Sequence, residues 1–359
     1  MINHIKNLDW ILTLYAVLLV CFGLVSLYGS GYNDDFLNFK KQLFWLFTGL
    51  FSMIFISFFD YRILKNRQFP IVLLFSMSLL LLLGLFQFGD SIRGTTSWYR
   101  IGPVAFEPVE VVKIVLIVVL AKYFSMRHVE MYRFRHILIS GFYMLAPVSV
   151  VLIQSEVGSA MVMVSIWLGI MLMAGIQLKH LVGLFAAGVV ILFLAWNWGF
   201  QDYQKERILS FINPGSDPQG SGYNVLQSMI AIGSGGFWGK GIGEGGQTQL
   251  GFLPESQTDF IYSAIAEEMG LLGALLLLCC FALFVKRIMS VSRNSENNFA
   301  RLVASAFSVM LLAQIFVNVG MTFGLFPITG IPLPFVSYGG SSLVSLFAML
   351  GILQSVKSN

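Results

Sequence analysis

Charge is what this chain lacks most. Asp, Glu, Lys and Arg together make up 11% of its 359 residues, against about a quarter in a soluble domain, and 57% of the residues are hydrophobic. This excludes a water-soluble globular protein. Period-two alternation is missing too. Runs such as "IVLLFSMSLLLLLGLF" are apolar on every face, which excludes the ~10-residue alternating strands of a membrane β-barrel. Cysteine is scarce: Cys21, Cys279 and Cys280 all fall inside apolar runs, with neither metal-ligand spacing nor a disulfide framework. Histidine occurs only as His4, His128, His136 and His180.

Apolar runs fill the space that charge leaves. About 20 residues of helix cross the ~30 Å hydrocarbon layer, and ten such runs recur, at 10–29, 41–59, 70–88, 109–125, 136–153, 159–175, 181–198, 259–286, 300–325 and 336–355. The expected fold is an all-α polytopic membrane protein of about ten transmembrane helices. It forms one integral membrane domain over 1–359, with a large extracytoplasmic loop at about 199–258 between the seventh and eighth helices. The first run lacks a small-residue cleavage site and reads as a retained helix. With a cytoplasmic N-terminus, 14 Lys and Arg residues lie on the inner side and 7 on the outer, so both termini are expected inside. The net charge of +4 then reflects topology and gives no reason to expect nucleic acid. All four histidines map to the inner side, leaving carboxylates and cations as the means of chemistry on the outer face.

The outer loop holds 13 of the 35 glycines. "GIGEGG" at 241–246 fits G-x-G-x-x-G in form, but no strand precedes it, so a dinucleotide site is excluded. "GGFWGKG" lacks P-loop spacing, with Gly241 where Ser or Thr is required. Phe237, Trp238, Leu250, Phe252 and Leu253 are interleaved with the glycines, which predicts a loop packed onto helices. Residues 223–232 are expected to form a short helix. Lys205, Arg207 and Lys240 are candidate ligands for a phosphate-bearing head group.

An acid inside a membrane span is expensive and marks a candidate site. If the eighth span starts near Asp259, then Asp259, Ser263 and Glu267 are spaced i, i+4, i+8 on one face. Asp259 sits at the rim, where it could take a proton from a hydroxyl, and Glu267 lies about 12 Å deeper at 1.5 Å per residue. In the fourth span, "FEPVEVVKIV", Glu110 and Lys113 are i, i+3 and should face the bundle. The ninth span adds Gln314, Asn318 and Thr322. Three polar stripes predict one interior cavity lined by all three spans. "GLFPITGIPLPFVSYGGSS" then interrupts the helices with Pro327, Pro332 and Pro334, which is tolerated at membrane depth only where backbone is packed in protein or lines a cavity.

Two long stretches carry a family resemblance: "DYQKERILSFINPGSDPQGSGYNVLQSMIAIGSGGFWGKGIGEGGQTQLGFLPESQTDFIYSAIAEEMG" and "GLFPITGIPLPFVSYGGSSL", with "EPVEVVKI" in support. The chain resembles the SEDS proteins of bacteria (shape, elongation, division and sporulation), nearer the rod-shape branch than the division branch. The resemblance implies a ten-helix peptidoglycan glycosyltransferase of the cytoplasmic membrane that polymerises lipid II on its outer face. It also implies partners: a class B penicillin-binding protein, other membrane proteins of the elongation complex, membrane lipids and the undecaprenyl-linked glycan. Asp259 corresponds to the family's key acid, Glu110 and Lys113 to its fourth-span Glu and Lys, and Arg207 to the basic residue after the seventh span. This chain departs from the pattern at 107–110, where Glu-Pro-Val-Glu replaces Gln-Pro-Ser-Glu, at Ser97 before Trp98, and at Glu156, where Asp is usual.

The implied reaction gives Asp259 the role of general base. Glu110, Lys113 and Glu267 shape and polarise the cavity, and Arg207, Lys240 or a divalent cation (Mg or Mn) could stabilise the leaving diphosphate. No metal site is fixed by the residues. A lipid II flippase and a non-catalytic scaffold are the alternatives. A flippase needs polar residues that continue to the inner side, whereas a polymerase needs them clustered outside.

Overall fold

The computed structural model describes residues 6–31, 35–92, 95–102, 104–126, 134–199, 205, 209, 211 and 220–358. All ten expected spans are helices: α1 (Trp10–Ser30), α2 (Leu37–Ser57), α4 (Phe69–Phe88), α5 (Pro108–Ser125), α6 (Phe134–Ile153), α7 (Val157–Ala174), α8 (Leu178–Leu194), α11 (Ile261–Arg293), α12 (Asn298–Thr322) and α13 (Gly340–Ser358). Nine of these stretches are long and apolar enough to cross a membrane. The tenth, α5, carries three charged side chains, Glu110, Lys113 and Lys122. Short helices α3 (Arg62–Asn66), α9 (Ser221–Ser234) and α10 (Gly246–Gln249) complete the set, and α9 covers the helix expected at 223–232.

Helix α5 is the axis of the bundle. It packs against α4, α6, α7, α12 and α13, and Val112 to Ala121 are almost entirely buried. That explains a helix apolar on every face with three charges retained. Pro108 starts it at a position where a missing N–H costs nothing. By contrast, no described residue of α8 is buried, so it runs at the periphery.

Two features depart from the sequence reading. A three-stranded antiparallel sheet, β1 (Asp90–Ile92), β2 (Thr95–Ile101) and β3 (Val104–Phe106), lies between α4 and α5. Its outer strands have three residues each, too short to leave a periodic signal. The second departure is in α11, which starts at Ile261 and not at Asp259, and breaks at Gly270, where φ is 68°. The break frees backbone groups that need partners at membrane depth, and the glycine-rich loop supplies them. Leu271 N–H donates to the Gly236 carbonyl at 2.9 Å, while Lys240 and Gly241 N–H donate to the Glu267 and Glu268 carbonyls at 3.0 Å each. A Cβ on Gly239 would stand 2.2 Å from the Glu268 carbonyl oxygen. These glycines let backbone meet backbone.

The termini meet at the other end of the bundle. Asp9 caps α1, accepting from Leu12 N–H at 3.1 Å, and its backbone exchanges hydrogen bonds with Gln354 of α13 at 2.7 and 3.0 Å. Arg287 of α11 closes on the Asp9 carboxylate at 2.8 Å. Replacing Arg287 by Met strands a buried carboxylate, a change expected to cost about 3 kcal/mol. Adding Asp9→Asn should recover most of the loss, as read by thermal unfolding in detergent.

Candidate functional site

The segment Glu255–Phe260 is a series of turns just before α11. Asp259 therefore precedes the helix and does not form its first turn. Four elements hold the segment in place. Asn318 of α12 donates to the Asp259 carbonyl at 2.9 Å and to the Ile331 carbonyl at 2.8 Å. Ser337 Oγ donates to the Thr258 carbonyl at 2.6 Å, and Tyr338 N–H to the Gln257 carbonyl at 2.9 Å. The Gln257 side chain accepts from Asn38 at 2.6 Å and donates to Ser30 at 3.1 Å. Thr258 Oγ1 donates to the Glu255 carboxylate at 2.9 Å. The Asp259 side chain stays half-buried, at the rim.

Acidic residues from other elements gather beside it. Glu107 links β3 to α5 and its side chain caps no backbone N–H. It lies close enough to Glu110, Glu156, Lys113 and Asp259 to feel all four charges. Burial pushes Glu107 well above the ordinary carboxyl range, with Glu110 and Glu156 adding to the rise and Lys113 opposing it. Burial also raises Glu156, against the pull of Ser97 and Lys113. Glu110 and Lys113 are 3% and 1% exposed and joined at 2.7 Å, so the pair faces the bundle as its i, i+3 spacing predicts. The segment Thr329–Ile331 closes one side: a Cβ on Gly158 would lie 2.5 Å from the Thr329 carbonyl oxygen, and one on Gly330 only 3.8 Å from Asp259 Oδ2. Among the described residues, no three His, Cys, Asp or Glu side chains converge to hold a metal ion.

Among the described residues, much of the α11 and α12 stripes is taken up in contacts within the chain. Ser263 Oγ pairs with Ser228 Oγ at 2.7 Å. Glu267, fully buried, accepts from Lys240 Nζ and Gln247 N–H at 2.9 Å each and from Thr248 N–H and Oγ1 at 3.1 and 2.9 Å. The sequence reading placed Lys240 and Glu267 among substrate contacts; paired with each other, they fasten the glycine-rich loop to α11. Ser263 and Glu267 share one face of α11, toward α9 and the loop, while Asp259 lies before the helix and leaves that line. Asn318 serves the site by positioning backbone. Arg207 lies outside the described residues. Glu107 is the functional candidate that the sequence reading did not select; its signal was an acid immediately before Pro108, three residues from Glu110.

Three comparisons place this geometry. Residues 7–359 match the family FTSW_RODA_SPOVE, cell cycle protein. The chain is 33% identical over 372 residues to a probable peptidoglycan glycosyltransferase FtsW of Geobacter sp. (strain M18), covering 99% of this chain and 98% of that protein. It is 36% identical over 288 residues to the peptidoglycan glycosyltransferase MrdB of Escherichia coli (strain K12), covering 80% and 77%. Among solved structures, it is similar to a chain in work titled "Structural coordination of polymerization and crosslinking by a peptidoglycan synthase complex", with TM-score 0.84, 30% identity and coverage of 98% and 97%. It is also similar to the rod shape determining protein RodA of Thermus thermophilus, with TM-score 0.73, 28% identity and coverage of 98% and 96%.

Replacing Asn318 by Leu leaves two buried carbonyls without their donor, at about 1–3 kcal/mol each. The expected result is a lower melting temperature and faster hydrogen exchange at 257–261. Glu107→Gln tests the electrostatics. The folded-state pKa of Glu107 lies above its ordinary value of 4.5, so the unfolded chain releases the proton first and stability falls as pH rises from there to the raised value. The variant should match the parent below about pH 4.5 and be increasingly the more stable above it, in melting curves across pH.

Proposed function

The chain belongs to the FtsW, RodA and SpoVE family of cell cycle proteins and is a peptidoglycan glycosyltransferase, and from that premise we propose that it polymerises lipid II with Asp259 as general base. The observation that carries this reading is the Asp259 carboxylate, half-buried at the rim while its backbone is tied to α12 and to the 327–338 segment. Fixed backbone with an accessible carboxylate is what proton abstraction from a bound hydroxyl needs.

In this reading the 4-hydroxyl of an N-acetylglucosamine gives its proton to Asp259 as its oxygen attacks C1 of an N-acetylmuramic acid. The bond from C1 to the diphosphate breaks, undecaprenyl diphosphate leaves with the electron pair, and the α-linked donor becomes a β-1,4 link. Inversion in one displacement requires a base on the attacking face. The buried Glu110–Lys113 pair stabilises the polar wall beside the base. Burial and the neighbouring Glu110 hold the Glu107 carboxyl above the ordinary range, which favours a donor role toward a sugar oxygen. The leaving charge is assigned to cationic side chains, Arg207 first, or to a divalent cation, Mg or Mn.

The flippase alternative loses support along α5. Between Lys113 and Lys122 every residue is apolar, and most are buried, so α5 itself offers no polar path from the acid cluster to its other end. We place the chain in a bacterial cytoplasmic membrane with both termini inside and the acid cluster outside. A class B penicillin-binding protein is the proposed partner, a reading supported by the likeness to a chain of a peptidoglycan synthase complex.

The test is glycan synthesis from labelled lipid II by the purified protein, with and without that partner. Asp259→Asn should cut polymerisation by ~10²–10⁴-fold while leaving the melting temperature near that of the parent. Equal polymer from both proteins would move the base elsewhere, and lipid II crossing liposomes without polymer would restore the flippase.

A further inference from the structure

A cavity of about 380 Å³ opens at the opposite end of α5 from the acid cluster, between α4, α5 and α6. Twelve residues of helix separate Lys122 from Glu110, roughly 18 Å at 1.5 Å per residue, so this space is not part of the glycosyltransferase site. Its wall is apolar, formed by Ile71, Phe75, Val119 and Tyr143, and its mouth is polar, with Lys122 and Gln68. The volume lies within the ~300–1,000 Å³ range of ligand pockets.

The charge at that mouth is unbalanced. Lys122 Nζ donates to the Lys65 carbonyl, which occupies one of its three donors. The Lys65 ammonium is near enough to repel it. Neither lysine has a carboxylate partner among the described residues. Two like charges beside an apolar hollow call for an anion, and an apolar wall behind them calls for a chain attached to it. Basic pockets between membrane helices bind acidic lipid head groups for this reason.

We propose that this cavity binds an anionic phospholipid, with its phosphate on Lys122 and Lys65 and one acyl chain along Ile71, Phe75 and Val119. The lipid neutralises the lysine pair and fills the space between α4 and α6, joining the peripheral helices to the axial one. Glycan synthesis does not require it as a reactant, and the site would respond to the acidic lipid content of the membrane.

Native mass spectrometry of the full chain in detergent tests this, with dioleoylphosphatidylglycerol titrated against dioleoylphosphatidylcholine. The parent should prefer the anionic lipid by at least about fivefold, the effect of one lysine near a charged lipid surface. Lys122→Gln and, independently, Lys65→Gln should each remove about that factor. Val72→Trp, at the exposed edge of the cavity, should weaken both lipids alike. Equal binding of the two lipids by the parent, or a preference that survives both lysine substitutions, would overturn the proposal. So would full competition by inorganic phosphate alone, which would show an anion site that needs no chain.

Discussion

One buried amide organises the catalytic end of this protein. Asn318 sends both hydrogens of its side chain to backbone carbonyls, one of Asp259 and one of Ile331. Neither carbonyl belongs to a helix, and neither could be left unsatisfied at that depth. The Asp259 carboxylate is therefore placed by tension between α12 and the proline-rich segment, and not by the helix that follows it. The half-buried Asp259 side chain, the approach of Gly330 and the packing of Gly158 under Thr329 all lie around that backbone position.

The same constraint explains the glycine-rich loop. Breaking α11 at Gly270 exposes peptide groups in the bundle, and a loop of small residues comes close enough to meet them. Glu267 and Glu268 then act as fasteners: the first takes four hydrogen bonds from the loop, and the second accepts from Gly243 N–H at 3.2 Å. Acids that a hydropathy reading assigns to a substrate path are consumed in holding non-helical backbone. Glu107 instead feels the charges of Glu110, Glu156, Lys113 and Asp259.

Much of the fold was legible before any coordinates. The ten spans were readable because a helix must be apolar for about 20 residues to cross the membrane, and the pairing of Glu110 with Lys113 because i, i+3 residues share a face. The sheet at 90–106 was not legible, since three-residue strands leave no period. The cluster around Glu107 was hidden for a different reason: its members come from segments about 50 to 100 residues apart in the chain, and no local pattern records that they meet.

By itself, then, the sequence determined that the chain is a membrane bundle, where its helices run, and that Glu110 and Lys113 pair inside it, because burying charge in lipid is costly enough to mark each position. Only the tertiary structure decided which acids are taken up in holding the glycine-rich loop. Helix α11 starts at Ile261 and breaks at Gly270, so Asp259 lies off the helix face on which Glu267 meets Lys240. A rotation of about 100° per residue changes a side chain's neighbours completely, and hydropathy, which counts residues without fixing that angle, carries no trace of it.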